Sequence, residues 1–115
     1  MDDLLPQLSD RALELIAHRF KILGDATRLR LLQLLMSGEM SVNELVNASG
    51  NNQANVSKHL STLANDGLIL RRRDGASTRY SIADPSIFNM CDLVCRSLQA
   101  RGAEVMQELQ GERFA

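Results

Sequence analysis

Aromatic side chains are scarce in this chain of 115 residues, with three Phe, one Tyr and no Trp. A core must therefore be aliphatic, mainly leucine, and the length suits one domain with one modest core. Cysteine occurs twice, too few for a disulfide framework, and a reducing cytosol would keep both thiols free. No apolar run approaches the roughly 18 residues that a membrane span needs. The opening "MDDLLPQLSD" is acidic, unlike a secretory signal. The expectation is a cytoplasmic protein with no membrane partner. There is no nucleophile–base constellation and no glycine-rich phosphate loop, so nothing supports an enzyme.

A large net charge is also missing: the total is −1. The distribution is uneven, however. Between residues 52 and 80, five basic side chains (Lys58, Arg71, Arg72, Arg73, Arg79) stand against two acidic ones (Asp66, Asp74), a net +3 that leaves −4 for the remainder. A basic segment on an acidic body is the footprint of a phosphate-facing surface. A solvated hairpin would have the same composition, so charge alone does not decide.

The apolar periodicity supplies the architecture. Ser9 can cap a helix whose Ala12, Leu13, Ile16, Ala17 and Phe20 keep a 3.6 period up to Gly24. Asp25 caps a second, "DATRLRLLQLLMSG", apolar over much of its circumference (Leu29, Leu31, Leu32, Leu34, Leu35) and so expected at the centre. "SVNEL" is a capping box, Ser41 with Glu44, opening a short helix to about Ala48. "SGNN" is a turn, and Asn52 caps a fourth helix that stops at Gly67. "LILRRRDGASTRYSI" alternates at Leu68 and Leu70, turns at Asp74-Gly75, and alternates again at Tyr80 and Ile82, which reads as a two-stranded hairpin. Asp84-Pro85 then opens a last helix with Ile87, Cys91, Val94 and Leu98 on one stripe.

This order is mainly α with a β-hairpin wing: a winged helix-turn-helix. The expected boundaries are a single DNA-binding domain over 1–115, with the helix-turn-helix at 41–66 and the wing at 68–83. The last helix, about 24 residues and about 36 Å long, is longer than a three-helix core needs. Its stripe and that of the first helix call for more cover than one chain offers. Residues 9–23 and 86–110 are therefore expected to be the dimerisation helices of a homodimer.

"NNQANVSKHLSTLANDG", residues 51–67, carries the functional expectation. Val56, Leu60, Leu63 and Ala64 recur at helical spacing, while the opposite side carries amides and hydroxyls instead of the usual Glu and Lys. With Val56 inward, Asn55, Lys58, Ser61 and Thr62 point outward, and Gln53 and Ala54 lie in the first turn. Amides can bond adenine edges bidentately, Lys can reach guanine or phosphate, and hydroxyls can serve either. His59 falls at the edge of the buried face, where it either packs or touches phosphate; no partner stands at metal-ligand spacing. The three consecutive arginines alternate in direction on a strand, so at least two should clear the core.

Together "LGDATRLRLLQLL", "SVNELVNASG", "NQANVSKHLSTLANDGLI" and "RRRDGASTRYSI" resemble the ArsR/SmtB family of bacterial winged-helix repressors, over roughly residues 18–98. The resemblance implies a homodimer on double-stranded DNA with an inverted-repeat operator, released by a metal ion, metalloid or thiol-reactive signal. By position it carries over Gln53, Asn55, Ser57, Lys58 and His59 as recognition-helix residues, and Arg71, Arg72, Arg73 and Arg79 as wing residues. Ala54 stands where the family commonly has Ser, and Asn51 where it often has an apolar residue.

The family's sensor sites are not matched. Ser41 and Asn43 occupy the positions of the arsenic branch's two cysteines, and hydroxyl and amide oxygens do not replace thiolates for a soft ion. The zinc branch's histidines are also missing, since His18 and His59 are the only two in the sequence. Cys91 and Cys95 remain, four apart on one helix face and near enough to share a thiophilic metal or metalloid. No cofactor is otherwise required. Two other readings stay open: a constitutive DNA-binding regulator with purely structural cysteines, and a winged-helix module for protein contacts.

Overall fold

The computed structural model describes residues 7–109; residues 1–6 of the acidic leader and Gln110, the expected end of the last helix, lie outside this range. The order is α1 (Asp10–Leu23), α2 (Ala26–Leu35), β1 (Met40–Ser41), α3 (Val42–Ser49), α4 (Gln53–Asn65), β2 (Ile69–Asp74), β3 (Ser77–Ile82) and α5 (Ser86–Leu109). The chain divides between Ala83 and Asp84 into two compact units. No helix among the described residues is long and apolar enough to cross a membrane.

In the first unit the helix boundaries follow their caps. Ser9 accepts from the Ala12 amide at the head of α1, Asp25 from Arg28 at α2, and Asn52 from Asn55 at α4. Both halves of the expected capping box are formed at α3: Ser41 Oγ accepts from the Glu44 amide at 3.1 Å, and Glu44 Oε1 accepts from the Ser41 amide at 2.8 Å. Each such cap satisfies amides that the helix itself leaves unpaired. Gly50, at φ 76°, ends α3 in the left-handed region, where a side chain would be strained. That conformation reverses the chain within three residues, so α4 starts at a tight turn from α3.

The core is aliphatic, as the composition requires. Leu31, Leu35, Leu45, Val56, Leu60, Leu63 and Leu68 are each at most 2% exposed, and Tyr80 is the buried aromatic among the described residues. Each fully buried leucine contributes about 1.5–3 kcal/mol, more than a surface ion pair at about 0–1 kcal/mol. Apolar burial therefore sets the position of α4, and polar contacts refine it. One such contact lies at its far end. Asp66, the α4 C-cap, accepts from Arg19 Nε at 2.8 Å and has His18 Nε2 at 3.1 Å, which ties α1 to α4.

Three expectations need correction. The sheet has three strands in the order β1-β3-β2, not two, because Met40 and Ser41 pair antiparallel with Tyr80 and Arg79. A two-residue strand carries no alternation of its own and forms on the open edge of β3. In the wing, Leu68 and Ile69 are buried while Leu70 is 59% exposed. β2 begins only at Ile69, so the inward parity is set by the strand pairing and not by the Leu68–Leu70 alternation. In α2, Leu31, Leu32 and Leu35 are buried but Leu29 is 38% exposed, so the helix is central on one face only.

The second unit is α5. Asp84 Oδ1 accepts from the Ser86 amide at 3.1 Å and from its hydroxyl, and Pro85 lies in the turn just before the helix instead of at its first position. Of the expected stripe, Ile87 is buried, Cys91 is half-exposed, and Val94 and Leu98 are 50% and 62% exposed. In α1, Leu13, Ile16 and Phe20 are likewise between 40% and 55% exposed. Each terminal helix thus presents an apolar face that its own unit does not cover.

Candidate nucleic-acid interface

α4 is seated by Val56, Leu60 and Leu63, which are fully buried. Their spacing turns the remaining positions away from the core. Gln53, Ala54, Lys58 and Ser61 are exposed, and Asn55, Ser57 and Thr62 are half-exposed. Asn55 Nδ2 donates to Asn51 Oδ1 at 3.4 Å, a long bond that biases the amide without locking it. Thr62 Oγ1 donates to the Lys58 carbonyl at 3.2 Å. The first turn of α4 therefore offers an unengaged amide (Gln53), a methyl (Ala54) and a second amide (Asn55), with the Lys58 ammonium one turn further on. These groups match donor and acceptor edges in a major groove.

His59 belongs elsewhere. Its side chain is 12% exposed, with Nδ1 3.1 Å from Arg28 Nη1 and Nε2 4.0 Å from Asp25 Oδ1. It faces α2, so of the two roles open to it these contacts supply the packing one. The cause is angular: His59 is adjacent to Leu60 and three residues after Val56, on the flank that α2 covers.

The wing shows a division that strand alternation alone does not reveal. In the β2–β3 register Arg71 pairs with Tyr80, Arg72 with Arg79, and Arg73 with Thr78. Arg71 lies over the Tyr80 ring, 5.7 Å from its centre, and its Nε donates to the phenol oxygen at 3.2 Å. Arg73 is exposed and makes no such contact. Arg72 and Arg79, on the other face, both converge on Glu39. Arg72 Nε and Nη2 donate to its two oxygens at 2.9 and 2.6 Å, and Arg79 Nε donates to Oε1 at 3.1 Å. The hydrogen bond from Arg72, with that from Arg79, holds the Glu39 carboxyl well below its ordinary value of 4.5, at about 2. Glu39 lies outside the basic segment counted from sequence. Two of that segment's cations are thus paired with a carboxylate, and Lys58, Arg71 and Arg73 keep an unneutralised charge.

Sequence reasoning also missed a groove. Ser41, Val42 and Asn43 at the head of α3, Gln53 at the head of α4, and Ala76, Ser77 and Thr78 at the wing turn line an open concavity of about 210 Å³. Gly75, at φ 63°, supplies the positive dihedral that closes this two-residue turn. The wing turn and the head of α4 therefore border one surface. The available signal was the polar character of "SVN" and "AST", which lie far apart in sequence and meet only through the sheet.

Cys91 and Cys95 sit on α5, half-exposed and exposed, one helical turn apart. Among the described residues no group of three or more His, Cys, Asp or Glu side chains is placed to hold a metal ion. The pair supplies two sulfur donors per chain.

Comparison with known proteins places this geometry in context. A family model described as "Bacterial regulatory protein, arsR family" matches residues 25–70, from the α2 cap into β2. The "Probable mercury resistance operon repressor" of Streptomyces lividans is 40% identical over 90 residues, covering 78% of this chain and 71% of the relative. The crystal structure of Rv0081 from Mycobacterium tuberculosis superposes with a TM-score of 0.70 at 36% identity, covering 84% of this chain and 96% of that one. The solution structure of a homodimeric winged helix-turn-helix DNA-binding domain from Mycobacterium bovis gives 0.68 at 33% identity, covering 80% and 88%.

Proposed function

The chain belongs to the arsR family of bacterial regulatory proteins, and from that premise we propose that it is a transcriptional repressor that binds an inverted-repeat operator as a homodimer and is released by a thiophilic signal. One observation carries the DNA-binding part. α4 buries Val56, Leu60 and Leu63 completely while leaving Gln53, Ala54 and Lys58 exposed, with Gln53 beside the wing turn. A surface designed only for solubility has no need to combine amides, a methyl and a single ammonium at the tip of a helix adjoining a ribbon.

In this reading Gln53 and Asn55 read base edges, Ser57 and Lys58 contact the backbone or a guanine, and Arg71 and Arg73 of the wing reach phosphate or the minor groove. The exposed faces of α1 and α5 pair across a two-fold axis, so the half-sites are about one helical turn, roughly 34 Å, apart. Cys91 and Cys95 are the candidate effector site, since two thiolates suit a soft metal or metalloid. The similarity to a mercury-resistance repressor supports that class of effector. Such an effector releases DNA only by binding the free dimer's conformation better than the bound one.

The test has two stages. Duplexes selected from a random pool should contain an inverted repeat protected as one footprint. Operator affinity is then measured for the wild type and for Cys91→Ser/Cys95→Ser with mercuric ion, arsenite, zinc, persulfide and peroxide. A response confined to the wild type supports sensing at the pair. Operator binding that no agent changes favours the constitutive regulator, and no duplex binding at all favours a protein-contact module.

A further inference from the structure

Arg72 and Arg79 are direct cross-strand partners on the β2–β3 hairpin, and like charges placed opposite one another on a ribbon repel. Glu39, in the connection between α2 and β1, occupies the space between them. Its two carboxylate oxygens take the Arg72 fork at 2.6 and 2.9 Å, and Oε1 also accepts from Arg79 Nε at 3.1 Å. Arg79 Nη2 donates to the Glu39 carbonyl at 3.2 Å and lies 3.4 Å from Glu44 Oε1, whose own place is set by the α3 capping box. The arrangement is not generic surface pairing. It places one carboxylate in the bidentate geometry that a guanidinium also presents to a phosphate.

The cluster is open to exchange. The Arg72 side chain is 55% exposed and that of Glu39 30%, so solvent anions reach the pair and can compete for it. DNA phosphate is an anion of the same fork geometry, presented beside the wing whenever α4 meets a duplex. The carboxyl stays ionised under all ordinary conditions, since its partners hold it at about 2.

We propose that Glu39 is a specificity-setting residue, a built-in carboxylate that occupies the phosphate-binding forks of Arg72 and Arg79 and withholds them from random-sequence DNA. The inference rests on the DNA-binding reading above. Its consequence is that two cations that the sequence counts as phosphate contacts add little to non-specific affinity. The salt dependence of that affinity then reflects Lys58, Arg71 and Arg73.

The probe is a labelled random-sequence duplex of about one to two dozen base pairs, titrated across a salt series with the wild type, Glu39→Gln, Glu39→Asp, Arg72→Gln and Glu39→Gln/Arg72→Gln. Glu39→Gln is expected to bind about 3–10-fold more tightly at moderate salt, with a slope of log affinity against log salt steeper by about one to two units. Glu39→Asp keeps the charge but is one methylene too short to serve both arginines, so its slope should also steepen. Arg72→Gln should change little in the wild type and remove about one unit of slope in the Glu39→Gln background. Equal slopes for the wild type and both Glu39 variants, with all chains folded by circular dichroism, overturn the proposal. An Arg72→Gln effect of the same size in both backgrounds also overturns it, because the gain would then be a general increase in charge. Failure of the wild type to bind duplex at low salt removes the DNA-binding reading itself, and this inference with it.

Discussion

His59 Nδ1 lies 3.1 Å from Arg28 Nη1, and because a guanidinium can only donate, the imidazole nitrogen is the acceptor. The same Arg28 donates from Nε to the Ile22 carbonyl at 2.6 Å and from Nη2 to the Lys21 carbonyl at 3.4 Å, in the last turn of α1. One arginine on α2 thus joins the end of α1 to the middle of α4. The neighbouring Lys58 is exposed to solvent.

Adjacent residues should therefore fail in different ways. His59→Ala leaves a guanidinium donor unpartnered and is expected to cost about 1–2 kcal/mol of stability, read as a lower denaturant midpoint, with the salt slope of DNA binding unchanged. Lys58→Ala should leave the midpoint near the wild type and reduce the slope by about one unit. A reduced slope for His59→Ala would instead assign that residue a DNA contact.

Gln53 and Asn55 should separate from the cations by sequence dependence. Alanine at either is expected to cost about 1–3 kcal/mol on the selected operator and to relax one base position, leaving affinity for random duplex as it was. Equal losses on both duplexes for Gln53→Ala would refute its assignment as a base reader.

Glu39 also predicts an acid transition. Its carboxyl is held at about 2 in the fold, against an ordinary 4.5. A group lowered on folding stabilises fully above its unfolded value, and the contribution is lost as pH falls through the folded one. The difference in denaturant midpoint between wild type and Glu39→Gln should be constant above about pH 5 and shrink between about pH 4.5 and 2. A difference that grows on acidification would contradict the arginine clamp.

The uncovered faces of α1 and α5 predict that a charge there breaks the assembly and spares the fold. Phe20, 55% exposed, lies outside the core. Phe20→Glu should keep its helical circular dichroism but sediment as a monomer at micromolar concentration, with weakened operator binding. A wild type that is itself monomeric under those conditions would exclude dimerisation through these helices.

What the sequence by itself determined was local. Caps, breakers and periodicity are encoded within a few residues of one another. Ser9, Asp25, Ser41 and Asn52 therefore place four helix starts, and Val56, Leu60 and Leu63 orient α4. The family resemblance is carried by the same segments, around "VSKHLSTLANDGLI". What the tertiary structure decided was which side chains remain free. β1 exists only because β3 offers an unpaired edge, and Leu70 faces solvent because the pairing with β3 sets the parity of β2. His59 is claimed by Arg28, 31 positions away, and Arg72 and Arg79 by Glu39, 33 and 40 positions away. Spacing along the chain reports which face a residue occupies. It does not report which charged group waits across the fold, because ion pairs and strand edges are set by distances in space that no local period encodes.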